Sequence, residues 1–453
     1  MTQRIECFKA YDIRGRVPAD LNPDLAYKIG RAYAAELQPK NVIIGYDIRL
    51  ESPGIAQALS KGLIESGVNI VDIGLCGTEE VYFATPFYQA DGGIMVTASH
   101  NPKGYNGMKM VARDSVPISS DSGLKNIEQR IIANRFNELS SPEQQGEIFK
   151  KPNKEAYIEH LLTYVDQTQL KPLKLVVNAG NGSAGPTFSA LAKKLPFEVI
   201  TIYHDVDGHF PNGVPNPMIV ENRTITSQTV IDHKADLGIA WDGDFDRCFL
   251  FDENGHFIEG YYLVGLLAEI LLATSPNEKI IYDPRLTWNT IEQVFAAGGN
   301  AIQSKTGHAF IKERMRKEDA LYGGEMSAHH YFRGFFYSDS GMIPWLLIAE
   351  LISKTGKTLS ELISEREQTF PCSGEINYTV QDAKDILNNI RTHFADLQPT
   401  IDETDGLSLE FKEWRMNVRS SNTEPLLRLN VETRANKELL WKKVKEIEQI
   451  IKA

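Results

Sequence analysis

The chain is poor in cysteine. Four occur among 453 residues, at positions 7, 76, 248 and 372, and their separations match neither a disulfide framework nor a thiolate metal site. A reducing cytoplasm suits such usage, and the N-terminal residues Met1-Thr2-Gln3-Arg4-Ile5-Glu6 lack the apolar core of an export signal, so a cytoplasmic location is expected. Nowhere does an apolar run approach the roughly 18 residues that a membrane span needs, and no membrane partner is expected. Basic tracts are missing too. With 48 Lys and Arg against 60 Asp and Glu, the formal charge of −12 excludes general nucleic-acid affinity, although phosphate can still be bound where cations converge locally. Low-complexity segments and long linkers are absent. A chain of this length, 42% hydrophobic and 24% charged, has material for about three packed domains.

Periodicity supports that count. A first strand-helix-strand unit runs from Asn41–Tyr46 through a helix over 52–66 to a strand over 68–73, preceded by a short strand over 8–15 and a helix around Leu25, Ile29 and Tyr33. A second unit begins at Leu173–Asn178, and a third at Lys279–Tyr282. Tyr46-Asp47-Ile48-Arg49-Leu50 and Tyr282-Asp283-Pro284-Arg285-Leu286 both read Tyr-Asp-x-Arg-Leu at a strand end, which points to related α/β domains in tandem. The tail reads β-α-β-β-β-α, a smaller α+β domain entered at Pro371-Cys372-Ser373-Gly374. The expected limits are 1–150, 151–254, 255–370 and 371–453.

Four loops carry polar groups suited to chemistry. In Gly92-Gly93-Ile94-Met95-Val96-Thr97-Ala98-Ser99-His100-Asn101-Pro102, an apolar strand opens into a small loop with Ser99 at its tip and His100 beside it. A turn at Gly104-Tyr105-Asn106-Gly107 then returns the chain as a strand carrying Lys109 alongside the serine. Asp242-Gly243-Asp244-Phe245-Asp246-Arg247 places three carboxylates at alternate positions, where they repel one another unless a cation lies between them; oxygen ligands suit Mg²⁺ or Ca²⁺. An EF-hand reading fails because Arg247 stands where the invariant glycine belongs. A phosphate on Ser99, with roughly −1.5 to −2 charges, would complete a Mg²⁺ site with Asp242, Asp244 and Asp246. Arg247 would then face the transferring phosphoryl group. Glu325 and Ser327 in Gly323-Gly324-Glu325-Met326-Ser327 suit adjacent sugar hydroxyls. Arg419-Ser420-Ser421-Asn422-Thr423 offers a phosphate cradle between two strands. His308 ends a strand of the third unit and is a second-rank catalytic candidate. Taken singly, each loop also has a plain reading as a solvated turn or helix cap.

Together, in this order and over essentially the whole chain, the four loops resemble those of the α-D-phosphohexomutase superfamily. Gly77-Thr78-Glu79-Glu80 and Gly324-Glu325-Met326-Ser327-Ala328-His329-His330-Tyr331-Phe332 look most like its bacterial phosphomannomutase branch, which serves GDP-mannose synthesis. The resemblance implies three tandem related α/β domains and a smaller C-terminal α+β domain around a central cleft. It implies a phosphoserine at Ser99, one Mg²⁺ per chain on Ser99, Asp242, Asp244 and Asp246, and Lys109 as acid/base. Mannose 6-phosphate and mannose 1-phosphate would interconvert through a hexose 1,6-bisphosphate, which also serves as activator. Glu325 and Ser327 would hold the 3- and 4-hydroxyls, and Arg419, Ser421, Asn422 and Thr423 the other phosphate. Tyr11, Arg14, Arg285 and His308 match cleft-lining positions, Arg285 standing where some relatives have lysine. Such a protein would be a monomer or homodimer whose partner is a small hexose phosphate.

Two alternatives stay open. One is a phosphoglucomutase or dual-specificity mutase. The other is a dinucleotide-dependent oxidoreductase, resting on Gly180-x-Gly182-x-x-Gly185 after a strand, with Asp205 at the distance of a ribose-binding carboxylate.

Overall fold

The computed structural model describes residues 4–137, 145–380, 382–420 and 426–452. The chain groups into two compact units, Met1–Phe257 with His329–Gly356, and Ile258–Ala328 with Lys357–Ala453.

The first unit contains two sheets. In the six-stranded one the order is Ile13–Arg16, Tyr105–Ala112, Gly92–Val96, Asn41–Tyr46, Asn69–Leu75 and Ile148–Lys150. Asn41–Tyr46 lies parallel to Gly92–Val96 and Asn69–Leu75, whereas Tyr105–Ala112 returns antiparallel. Helix Pro23–Leu37 starts where the sequence provides an Asn22 cap, which accepts from the Leu25 N–H, and a proline in the first turn; it ends at Gln38 in the left-handed region. Its buried Ile29 and Tyr33 join Leu59 of helix Ser52–Ile64 and Val42, Ile44, Ile94 and Val96 of the sheet in one core. Each fully buried aliphatic side chain contributes about 1.5–3 kcal/mol.

Two local expectations shift here. Residues 8–12 form a turn closed by the Lys9 N–H on the Asp12 carbonyl, and the strand itself is Ile13–Arg16. The return strand starts at Tyr105, because Arg16↔Tyr105 and Arg14↔Gly107 pairing draws the glycine-rich segment into the sheet. Turn composition loses there to ladder hydrogen bonds.

The second sheet runs Cys248–Phe251, Leu237–Trp241, Lys174–Asn178, Glu198–Ile202. Leu237–Trp241 is parallel to Lys174–Asn178, and Cys248–Phe251 comes back antiparallel. Both sheets therefore share one device: a buried parallel strand, a short polar loop, and an antiparallel return.

In the second unit, Asn300–Gln303 and Tyr322–Gly324 flank Lys279–Tyr282 in parallel, with helices Gly260–Thr274, Trp288–Ala296 and His308–Glu318. The tail is an antiparallel sheet ordered Ile376–Thr379, Leu426–Thr433, Trp414–Ser420, Leu407–Glu410, Thr400–Asp402, with helices Ala383–His393 and Lys437–Lys452. Thr400–Asp402 adds a strand to the expected order. It is a three-residue edge with an exposed Ile401, so it carries none of the alternation that marks a half-buried strand. Among the described residues, no helix is long and apolar enough to cross a membrane.

Candidate active site

The strand Gly92–Val96 is buried throughout and delivers the chain to Ser99, whose backbone sits in the left-handed region at φ 48°. A serine pays roughly 1–2 kcal/mol for that conformation, and its neighbours hold it there. The Ser99 N–H donates to Thr97 Oγ1 at 2.8 Å, and its carbonyl accepts from Arg49 Nη2 at 2.8 Å. The metal-loop backbone also comes close: a Cβ on Gly243 would lie 2.5 Å from the Ser99 carbonyl oxygen.

Ser99 Oγ donates to Asp242 Oδ2 at 2.7 Å and lies 3.0 Å from His100 Nδ1. Arg247 directs Nε and Nη2 at the same Asp242 oxygen, each at 2.9 Å, and its Nη2 is 2.6 Å from His100 Nδ1. Lys109, paired in register with Met95, donates to Asp244 Oδ2 at 2.8 Å and to Asp246 Oδ2. Arg14 donates to the Ala98 carbonyl (2.7 Å), Asn101 Oδ1 (2.6 Å) and Asp12 Oδ2 (2.5 Å), and so braces the serine loop. Tyr11 is half-buried just before it.

All three aspartates are buried, and the Oδ1 of each has no hydrogen-bond partner among the described residues. Burial favours their neutral forms; against it, Arg247 holds Asp242 well below the usual carboxylate range, and Lys109 lowers Asp244. Burial and the adjacent Asp244 push Asp246 up to about 7. Such a triad, with ligand atoms close together and three orphaned oxygens, fits a hard divalent cation.

Several participants escape the sequence reading. His329 places Nδ1 2.9 Å from Asp339 Oδ2 and 3.9 Å from Asp246 Oδ1, although the His329-His330 pair carries no metal spacing. Thr78 donates to Asp244 Oδ2 at 2.5 Å, and Tyr157 donates its hydroxyl to the buried Glu79 at 2.6 Å, which gives the Gly77-Thr78-Glu79-Glu80 string a supporting role. The glycines of the β-α turn that follows Lys174–Asn178 are committed to protein contacts. The Ser183 N–H, at the helix start where a pyrophosphate would bind, donates to the Gly243 carbonyl at 3.1 Å, and a Cβ on Gly185 would lie 2.1 Å from the His204 carbonyl. That turn is a tight corner supporting the metal loop.

In the second unit, the Tyr-Asp-Pro-Arg-Leu strand end organises the sugar loop. Asp283 accepts from Arg285 Nε and Nη2, each at 2.9 Å, and from the Met326 N–H at 2.9 Å. Arg285 Nη2 in turn lies 3.1 Å from Ser327 Oγ and 3.6 Å from Glu325 Oε1, so Glu325 and Ser327 do share one side. The Gly307 N–H donates to Glu325 Oε1 at 2.9 Å, which brings the half-buried His308 to the same turn. Arg415 donates to the carbonyls of Pro284 and Arg285 and to Glu432. Arg419 is the penultimate residue of strand Trp414–Ser420; Ser421, Asn422 and Thr423 lie outside the described residues.

The whole chain belongs to the phosphoglucomutase/phosphomannomutase family. Residues 6–138, 155–255 and 259–370 match its alpha/beta/alpha domains I, II and III, and residues 375–450 match its C-terminal domain. Three tandem α/β domains with a C-terminal domain are thus the architecture. Among relatives, the chain is 58% identical over 448 residues to phosphohexose mutases of Xanthomonas campestris pv. campestris, covering 99% of each. It is 53% identical over 443 residues to a phosphomannomutase of Escherichia coli K12, covering 97% of each. A crystal structure of a phosphoglucomutase/phosphomannomutase family protein from Burkholderia thailandensis, 32% identical, superposes with a TM-score of 0.87 over 98% of this chain and 97% of that one.

Proposed function

We propose that the protein is a phosphomannomutase, interconverting mannose 6-phosphate and mannose 1-phosphate in the cytoplasm and feeding GDP-mannose synthesis. The observation that carries this reading is Ser99 Oγ at 2.7 Å from Asp242, within a buried triad that has an orphaned oxygen on each member. Phosphohexose mutases and phosphomannomutases among its relatives support it.

In this reading Ser99 carries a phosphoryl group. The sugar hydroxyl attacks phosphorus, the bond from phosphorus to Ser99 Oγ breaks, and Lys109, released from Asp244 and Asp246 as the free amine, accepts the hydroxyl proton. The resulting hexose 1,6-bisphosphate returns its other phosphate to Ser99, with Lys109 giving the proton back. Arg247 stabilises the transferring charge, and His100 and Arg14 keep the loop and its anion aligned. Asp242, Asp244 and Asp246 would hold one Mg²⁺ with a phosphate oxygen, and the bound ion would neutralise charge on the transferring group. Glu325 and Ser327 take the 3- and 4-hydroxyls; His308, Tyr11 and Arg285 line the substrate; Arg419, Ser421, Asn422 and Thr423 take the second phosphate. The domain limits in this reading are 1–150, 151–254, 255–370 and 371–453, and the family matches over 6–138, 155–255, 259–370 and 375–450 lend it support.

A second reading, one enzyme serving mannose and glucose phosphates alike, is favoured by Glu325 and Ser327: the 3- and 4-hydroxyls they would read are the same in both sugars. A coupled assay with mannose 1-phosphate and glucose 1-phosphate, each with a trace of bisphosphate, tests both readings. Turnover of mannose 1-phosphate that EDTA abolishes and Mg²⁺ restores is expected. Inactivity on both sugars, combined with binding of NAD, would reverse the conclusion.

Glu325→Ala is expected to raise KM by about tenfold or more, the worth of a charged hydrogen bond at about 1.5–3 kcal/mol, while intact mass still shows phosphate on Ser99. An unchanged KM would remove Glu325 from sugar recognition.

A further inference from the structure

The second unit contains a carboxylate for which the proposed reaction has no use. Glu375 follows Gly374, whose carbonyl accepts from Asn430 Nδ2 at 2.9 Å and from Ser373 Oγ at 2.8 Å, so the backbone is fixed at that point. The Glu375 side chain is only 9% exposed and stands among three guanidiniums: Arg285 Nη1 at 3.5 Å, Arg419 Nη2 at 3.9 Å and Arg428 Nη1 at 3.8 Å. Asp405 adds a second distant carboxylate, 3.8 Å from Arg419.

These separations carry the inference. Strong charge-assisted N–H···O contacts lie at about 2.7–2.9 Å, as Arg285 achieves with Asp283 at 2.9 Å. Glu375 achieves none at that distance. It neutralises part of the charge of three arginines without saturating the donors of any one of them, and Arg419 Nε has no hydrogen-bond partner among the described residues. Burial, then Arg285 close by, lowers the Arg419 pKa, the expected result of gathering like charges in a poorly solvated place. A carboxylate brings one charge and two acceptor oxygens; a phosphate monoester brings up to two charges and three. The cluster is therefore organised by a weaker anion than the one it best accommodates.

We infer that Glu375 is an internal competitor for phosphate. It keeps Arg285, Arg419 and Arg428 gathered while no phosphate is bound, and it opposes the phosphate that arrives, so the contact stays weak enough to break each time a bisphosphate turns round. The inference rests on the proposed reading of Arg419 as the phosphate-binding end. Glutamine at 375 keeps the volume and one acceptor but removes the competing charge.

Calorimetric titration of inorganic phosphate into the full-length, metal-chelated protein tests this with the wild type, Glu375→Gln and Arg419→Ala. Chelation strips any cation from the aspartate triad near Ser99, so that no bound metal recruits phosphate there. Glu375→Gln is expected to bind phosphate about tenfold more tightly, which corresponds to about 1.4 kcal/mol. In the steady state, KM for the hexose phosphate and kcat should both fall, since release slows. Damage to the fold weakens binding and does not tighten it, so the direction separates the two causes. Glu375→Asp, which withdraws the carboxylate by one methylene, should shift affinity the same way in smaller measure and serves if the glutamine variant fails to fold. Phosphate binding that needs Arg419 but is unchanged or weakened in folded Glu375→Gln overturns the inference alone. Binding indifferent to Arg419→Ala overturns it together with the reading beneath it.

Discussion

Ser99→Ala is expected to abolish multiple turnover, lowering kcat by about four orders of magnitude or more, as removal of a covalent nucleophile does. No neighbouring hydroxyl can take over. Thr97 Oγ1 already donates to Asp47 Oδ2 at 2.7 Å and accepts the Ser99 N–H. Thr78 Oγ1 is committed to Asp244 and fully buried. The loss should be confined to chemistry, because Asp242 keeps both Arg247 contacts when the serine donor is removed. Melting temperature should therefore change by a few degrees at most. Intact-mass analysis after incubation with hexose 1,6-bisphosphate should show one phosphate on the wild type and none on the variant. Near-normal multiple turnover by the variant, or active wild type that never carries phosphate, would remove the covalent mechanism.

The serine and metal loops were legible in the sequence because each follows a strand without a charged or amide residue. Val96 before the serine and Trp241 before the first aspartate are buried strand ends, and a strand that carries no polar group makes the loop after it stand out. The recurrence of Tyr-Asp-x-Arg-Leu was legible as well, but only as a sign of repetition. Its work depends on pairings between residues far apart in the chain, such as Arg49 with the carbonyls beyond Ser99, which periodicity cannot register. His329 was hidden for the same reason, since its partners Asp246 and Asp339 come from a loop and a strand that are apart in the sequence. Where local composition misled, at residues 105–107 and at Thr400–Asp402, sheet pairing decided the outcome.

The three α/β repeats solve one problem three times. In each, the end of the first parallel strand grips the loop that leaves the neighbouring parallel strand. Arg49, after Asn41–Tyr46, reaches the serine loop; Ser183, after Lys174–Asn178, holds the metal loop through Gly243; Asp283 and Arg285, after Lys279–Tyr282, hold Met326 and Ser327. Loops at the carboxyl ends of parallel strands are where such folds bind ligands, and here each one has a dedicated clamp. The clamp in the first repeat is the most extensive. Arg49 donates to the carbonyls of Ser99 (2.8 Å), Asn101 (2.6 Å), Pro102 (3.1 Å) and Tyr105 (3.1 Å), while Asp47, 3.5 Å away, balances its charge and fixes Ser52 and Thr97.

Arg49→Met is accordingly expected to lower kcat by about 100-fold or more although the residue does not touch substrate, because a displacement near 1 Å at the reacting atoms costs about that much. Four carbonyls lose a donor at once, each worth about 1–3 kcal/mol when left unsatisfied, and Ser99 loses the donor that fixes its carbonyl, keeping only the Thr97 and Asp242 contacts to hold its left-handed conformation. Lysine cannot rescue the site. Its single ammonium lacks the planar fork that reaches carbonyls on both sides, so Arg49→Lys should resemble Arg49→Met. A clamp of this kind alters kcat and the rate at which bisphosphate loads Ser99, but leaves KM for the hexose phosphate within a few-fold. General unfolding would instead reduce the active fraction without slowing loading in the molecules that stay folded. Rapid-quench measurement of phosphate transfer to Ser99 in both variants separates the cases, and loading at the wild-type rate would show that the serine loop holds its shape without Arg49.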